Sequence, residues 1–130
     1  MFTIGKNWEK QMTDNRHRII EFYEKSSGKT PVKDYLDELP LKVRKKILFV
    51  FSLIEELQIV PSKYWQKMTG SDGLWEARIE YESNIYRFLG FMHKGKLVIL
   101  TNGFQKKSQK TPQNEIEIAE NYKNDYLSRR

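Results

Sequence analysis

Three strand-like segments follow one another in the second half of the chain with only short turns between them. In the first of them, apolar residues alternate with charged ones, which is typical of a strand with one buried face. The turns are Glu82-Ser83-Asn84 and Lys94-Gly95, the second with glycine where positive φ is needed. This run predicts an antiparallel meander of the strands Leu74–Tyr81, Ile85–Met92 and Leu97–Leu100.

Helices are predicted before and after the meander in the sequence. Thr30-Pro31 marks the start of a first helix, which Pro40 ends, and a longer helix follows over Leu41–Gln58 with a continuous apolar face. Thr111-Pro112 repeats the start signal and opens a last helix. With a short strand at Arg18–Tyr23, the order β-α-α-β-β-β-α predicts a small α+β domain, with helices packed on one face of an antiparallel sheet.

Composition limits the class of protein. The 130 residues fit one domain, for which we expect a loose extension over residues 1–15 and a folded part over 16–130. The chain has no cysteine, no apolar run long enough to span a membrane and no signal-peptide pattern, so we expect a cytoplasmic protein. The net charge of +6 favours an anionic partner, such as nucleic acid or an acidic protein.

Arginine and lysine side chains concentrate on the meander. Arg78 and Arg87 lie inside neighbouring strands, and hairpin pairing would bring them near each other on one face. The guanidinium fork suits bidentate contacts with phosphate, and Lys106 and Lys107 would add charge where the last strand ends. Alternatively, Arg78 pairs with a neighbouring glutamate, and the lysines belong to a solvated loop. Pairing of both arginines with Glu76 and Glu80 on a flat surface would count against an enzyme that uses them to cleave nucleic acid.

A cation cluster of this kind can cleave RNA without a metal. The ribose 2′-OH attacks the adjacent phosphorus, and fixed cations stabilise the charge that develops on the phosphoryl oxygens. A base must take the 2′ proton, and a lysine whose pKa is lowered by neighbouring cations is the candidate. His93 lies beside a hairpin turn at the far end from Lys106, so it is a poor candidate. The sequence contains no metal-ligand motif and no phosphate-binding glycine loop, and no cofactor is expected.

Four pieces of the chain follow one another as in a known family. They are a leucine-centred strand with an arginine, a Tyr-Arg strand, an apolar strand that ends in phenylalanine, and a KK-x-x-KTP segment that opens the last helix. In these pieces the chain resembles the phage-derived HigB-like toxins of the RelE/ParE superfamily over roughly residues 16–125. The pieces are Leu74–Arg78, Tyr86-Arg87, Leu97–Phe104, and Lys106-Lys107 with Lys110-Thr111-Pro112.

The resemblance implies a RelE-like domain and the toxin of a type II toxin–antitoxin system. Members typically cleave messenger RNA on the ribosome without a metal, and an antitoxin, commonly a helix-turn-helix DNA-binding protein, neutralises them. By position, the resemblance implies Arg78, Arg87, Lys106 and Lys107 as catalytic residues. Lys67 and Lys110 are implied as RNA contacts. Two alternatives stay open: a gyrase poison of the ParE kind, and a non-catalytic protein that binds RNA or the ribosome.

Overall fold

The computed structural model describes residues 14–106 and 111–129 of the chain. The α+β class predicted from the sequence is confirmed, with three helices and a five-stranded sheet in the described residues. Within the described ranges, no helix is long and apolar enough to cross a membrane. In chain order the elements are β1 (Ile19–Phe22), α1 (Pro31–Asp37), α2 (Leu41–Glu56), β2 (Trp65–Lys67), β3 (Leu74–Tyr81), β4 (Asn84–His93), β5 (Leu97–Lys106) and α3 (Gln113–Ser128).

The strands lie in the order β1-β5-β4-β3-β2. As predicted, β3, β4 and β5 form an antiparallel meander, with Glu82 and Ser83 at positive φ in the first turn. Two features differ from the antiparallel sheet of four strands that the sequence predicts. The first strand, β1, pairs with β5 in the parallel direction, so the sheet is mixed, and the three-residue strand β2 forms the opposite edge. The sequence near these strands predicts neither feature. The strand β2 is too short to show alternation, and the direction of β1 depends on its pairing with β5, which is distant in the chain.

One face of the sheet packs against α1 and α2. The apolar side of α2, which includes Ile47 and Ile54, lies fully buried against strand residues such as Ile79 and Phe88. The aromatic rings of Phe51 and Phe88 meet edge to face with centroids 5.1 Å apart. This is the larger core of the domain, and it holds the strands β2–β5 against α1 and α2.

The other face packs against α3, so helices cover both faces rather than the one predicted. Ala119 of α3 lies in a cluster with Leu74, Leu89 and Phe104, and Tyr126 packs on Phe91 farther along the helix. The charged residues that alternate along β3 predict a solvated face. The helix α3 covers the part of that face around Leu74, at the start of β3. The polar part that α3 leaves uncovered is where the candidate site lies.

The segment before β1 is tied to the end of α2. Arg16 forms an ion pair with Glu55 at 3.0 Å, and Arg18 donates a hydrogen bond to the carbonyl of Leu57 at 2.9 Å. Hydrogen bonds from Arg16 hold the pKa of Asp14 well below its usual range. The remainder of the predicted extension, residues 1–13, lies outside the described residues.

Candidate active site

An open cleft of about 920 Å³ lies on the α3 face of the sheet. Strands β3, β4 and β5 form its floor, the segment that follows β2 forms one wall, and the start of α3 forms the other. Its lining residues are Gln66, Lys67, Met68, Thr69, Gly70, Glu76, Arg87, Lys106, Thr111, Pro112, Gln113 and Ile116.

A buried ion pair lies on the floor of the cleft. Glu76 and Arg87 expose only 2% and 3% of their surfaces, and the Arg87 Nη1 donates to Glu76 Oε2 at 2.9 Å. The Thr111 hydroxyl donates to the same carboxylate oxygen at 3.1 Å. A buried charge needs a partner, and here each member supplies the charge that the other requires. Glu76 therefore supplies the counter-charge that the buried Arg87 requires.

Arg78 lies directly opposite Arg87 in the β3–β4 ladder, so the two guanidinium groups share one face of the sheet. Its Nη2 lies 3.5 Å from Glu80 Oε1, a loose pair in which the glutamate is largely exposed. Both arginines are therefore paired with the two glutamates that the sequence offered as the alternative. The surface around Arg87 is a cleft and not flat, and Arg78 lies beside that cleft rather than in its lining.

The lysines predicted for the site differ in their position relative to the cleft. Lys106 lines the cleft at the end of β5, in register with Ile85 and therefore on the same face as Arg87. Lys67 also lines the cleft, although its register opposite Trp75 assigns its side chain to the other face at the sheet edge. Lys107 and Lys110 lie outside the described residues.

Hydrogen bonds from neighbouring elements hold both walls. A β-bulge at Thr101 shifts the register of β5, and the buried Asn102 next to it donates to the Glu115 carboxylate at 3.0 Å, which fixes the start of α3. Lys123, near the other end of α3, donates to the carbonyl of Asp72 at 2.7 Å and so holds the loop after β2. One helix thus positions both sides of the cleft.

The cleft presents more positive than negative charge. Arg87 and Lys106 provide two cations on the cleft face against the one carboxylate of Glu76, and Lys67 adds a further cation at the sheet edge. Such a surface attracts phosphodiesters, and the buried carboxylate provides a proton acceptor on the floor. Among residues 14–106 and 111–129, no three histidine, aspartate or glutamate side chains come together as metal ligands. His93 packs edge-on against Tyr126 at 5.1 Å between ring centroids and does not line the cleft.

Sequence reasoning missed Glu76 and Thr111 as members of the site. Glu76 alternates with Arg78 and Glu80 on one polar face, but that pattern alone does not say which glutamate is buried. The sequence predicts that Thr111-Pro112 starts the last helix, whereas α3 begins after Pro112 and the Thr111 hydroxyl donates to Glu76. The signal that could have identified both is the register of β3 with β4, which places Glu76 diagonally from Arg87.

A known protein family matches most of the chain. The family model described as phage derived protein Gp49-like (DUF891) matches residues 34–124, a range that contains the three strands of the meander and most of α3. No curated protein matches the chain.

Proposed function

We infer the function of this chain from its family, because the chain belongs to the phage-derived Gp49-like proteins, a toxin–antitoxin-associated family of RelE/HigB-like character. Membership implies an antitoxin partner. Beyond the family, we propose that the chain is a HigB-like toxin. Its activity would be a metal-independent endoribonuclease that cleaves messenger RNA on the ribosome and so arrests translation.

The observation that carries the proposal is the buried Glu76–Arg87 pair on the floor of a cation-rich cleft. An ion pair that served stability alone would gain nothing from facing a cleft of about 920 Å³. A carboxylate held beside a guanidinium provides two functions that RNA cleavage needs, a proton acceptor and a group that binds phosphoryl oxygens. Lys106 stands on the same face at the rim and supplies a further cation.

In the proposed reaction, the Glu76 carboxylate takes the proton of a ribose 2′-OH as that oxygen forms a bond to the adjacent phosphorus. The bond from phosphorus to the 5′ oxygen breaks, which leaves a 2′,3′-cyclic phosphate and a 5′-hydroxyl. Arg87 stabilises the negative charge on the phosphoryl oxygens, and the Lys106 ammonium donates a proton to the leaving oxygen. Glu76 replaces the lysine that the sequence suggested as base.

The remaining cations have binding roles in this proposal. Arg78, directly opposite Arg87, contacts the RNA backbone beside the cleft, and Lys67 contacts it at the edge formed by β2. Lys107 and Lys110, which follow Lys106 in the chain, add charge to the segment between β5 and α3. Contacts of this kind bind RNA through its phosphates, and the ribosome would place the messenger in the cleft.

The experiment that tests the proposal is induction of the protein in cells followed by sequencing of new RNA 5′ ends. We expect new 5′-hydroxyl ends within translated messenger RNA, together with growth arrest. The same cuts should appear with purified ribosomes in the presence of EDTA at a concentration that leaves ribosomes intact. Growth arrest with intact transcripts and trapped gyrase–DNA complexes would show that the nuclease proposal is wrong and favour a gyrase poison.

A further inference from the structure

The outward side of α2 carries large apolar side chains that nothing in the described structure covers. Leu41, Leu48 and Phe49 are 58%, 48% and 54% exposed. Separations of seven and eight residues place them on one helical face, opposite the buried face that contains Ile47 and Ile54. A helix that only packs on its own sheet needs one apolar face, so a second one indicates a contact with another molecule.

Three lysines surround this apolar face. Lys42 and Lys45 are exposed, and the Lys46 ammonium lies 5.8 Å from the centre of the Phe49 ring. The first turn of α2 contains no acidic residue, and cations there oppose the helix dipole. In the described ranges, no carboxylate lies within ion-pair distance of Lys42 or Lys45. An acidic partner would compensate this arrangement.

We propose that this face of α2, formed by Leu41, Lys42, Lys45, Leu48 and Phe49, is the docking surface for an acidic amphipathic helix of the antitoxin. Leucine and phenylalanine side chains gain free energy by burial against apolar residues, and the lysines pair with carboxylates that flank them. The inference rests on the toxin–antitoxin part of the proposed function and is independent of RNA cleavage.

Other occupants fit the surface less well. A second copy of the chain would place the same lysines against each other, with Glu56 as the exposed carboxylate of α2. Residues 1–13 of this chain contain two lysines and one glutamate, so their charge is not complementary either. RNA would pair with the lysines, but its phosphates offer nothing to the leucines.

The docking surface on α2 and the cleft lie on different faces of the sheet. The helix α2 packs on the face of the sheet that contains Ile79 and Phe88, whereas the cleft opens on the α3 face. An antitoxin helix bound to α2 therefore leaves the cleft open. This contact supplies affinity, and a different part of the antitoxin would have to block the catalytic face.

The test measures binding of the purified full chain to the protein encoded by the adjoining reading frame. We expect Lys45→Glu and Leu48→Ser each to weaken binding at least about 30-fold, since both side chains lie at the centre of the surface. The matched control is Lys94→Glu, which makes the same charge change at the β4–β5 turn and should bind like the wild type. Thermal melting checks that each variant is folded. In cells, both α2 variants should still arrest growth, but the antitoxin should no longer rescue it.

Several results would overturn the inference. Wild-type affinity of both α2 variants would exclude the surface. A wild-type dimer that these substitutions dissociate would assign it to a second copy, and tighter antitoxin binding after removal of residues 1–13 would assign it to that segment. Loss of ribosome binding with unchanged antitoxin affinity would assign it to RNA. A wild-type chain that binds the antitoxin through α2 but leaves RNA intact would refute only the nuclease proposal.

Discussion

Arg78 and Arg87 lie directly opposite each other on β3 and β4, so two guanidinium groups share adjacent positions on one face of the sheet. Like charges in this arrangement destabilise a sheet. Each arginine is paired with a different carboxylate, Arg87 with the buried Glu76 and Arg78 with the exposed Glu80. The two pairs differ in environment, and their contributions to stability should differ accordingly.

Glu76→Gln should destabilise the fold much more than Glu80→Gln. Removing one member of a buried ion pair leaves an uncompensated charge and costs about 3–5 kcal/mol, whereas an exposed pair contributes about 0–1 kcal/mol. Urea denaturation of the two variants measures the difference in the free energy of unfolding. Equal losses in the two variants would mean that Glu76 is not the counter-ion on which Arg87 depends.

Lys106→Ala should reduce RNA cleavage without unfolding the protein. In the proposed reaction Lys106 acts at the leaving oxygen, and loss of one group that stabilises the transition state lowers the rate by about 10²–10³-fold. Because Lys106 stands at the rim of the cleft, we expect a change in unfolding free energy of about 0.5 kcal/mol or less. Cleavage by purified ribosomes charged with messenger RNA gives the rate, and Lys94→Ala at the β4–β5 turn is the control. Full activity of Lys106→Ala would remove this residue from the mechanism.

Stability at acidic pH should depend on Asp125. Hydrogen bonds from the Tyr23 hydroxyl and from Arg129 hold the pKa of this carboxyl below its ordinary value of 3.8. A carboxyl with a lowered pKa stabilises the fold above its unfolded pKa, and that contribution disappears as pH falls through the lower folded value. Urea denaturation from pH 7 to pH 2.5 should therefore show a steeper loss below about pH 5 for the wild type than for Asp125→Asn. Parallel curves for the two proteins would contradict this assignment.

Tyr35→Phe should leave the protein as stable as the wild type or slightly more stable. The Tyr35 hydroxyl is buried without a hydrogen-bond partner among the described residues, and burial raises the pKa of this tyrosine to about 12. Removing an unsatisfied hydroxyl avoids a desolvation cost, so we expect a gain of up to about 1 kcal/mol at pH 7. A loss greater than about 1 kcal/mol would indicate a hidden partner for this hydroxyl.

The same tyrosine predicts a difference at high pH. Because the pKa of Tyr35 is near 10 in the unfolded chain and about 12 in the fold, the unfolded state loses the proton first, and the fold loses stability as pH rises between these values. The wild type should therefore lose stability more steeply than Tyr35→Phe between these values. Circular dichroism at increasing pH measures both proteins, and coincident curves would show that Tyr35 is not buried as a neutral group.

Strong periodicity made the meander and α2 predictable from sequence. Apolar residues over about three turns, from Val43 to Ile54, specify α2, and the Lys94-Gly95 turn specifies the β4–β5 hairpin. Such patterns report local geometry and burial, so they hold without knowledge of the rest of the molecule. The short strands β1 and β2 lack a period of their own, and their pairing depends on segments distant in the chain.

The candidate site was predictable only in its cations. Arg78 and Arg87 were placed on paired strands because hairpin register follows from the turn between them. The role of Glu76 depends on its burial beside Arg87 and Thr111, and Thr111 belongs to a segment distant in the chain. Thr111 was likewise assigned to a cap because a Thr-Pro pair is the usual helix-start signal.

The parallel pairing of β1 with β5 has a consequence for synthesis of the protein. Among the described strands, β1 comes first in the chain and pairs only with β5, the last of them, which lies between β1 and β4 in the sheet. Closing such a long loop is slow, and it cannot begin before β5 has been translated. Because the cleft also needs β5 and the start of α3, a nascent chain has no assembled site. The charged floor of the cleft therefore comes together only after the start of α3 has been synthesised, whatever the order in which the other strands fold.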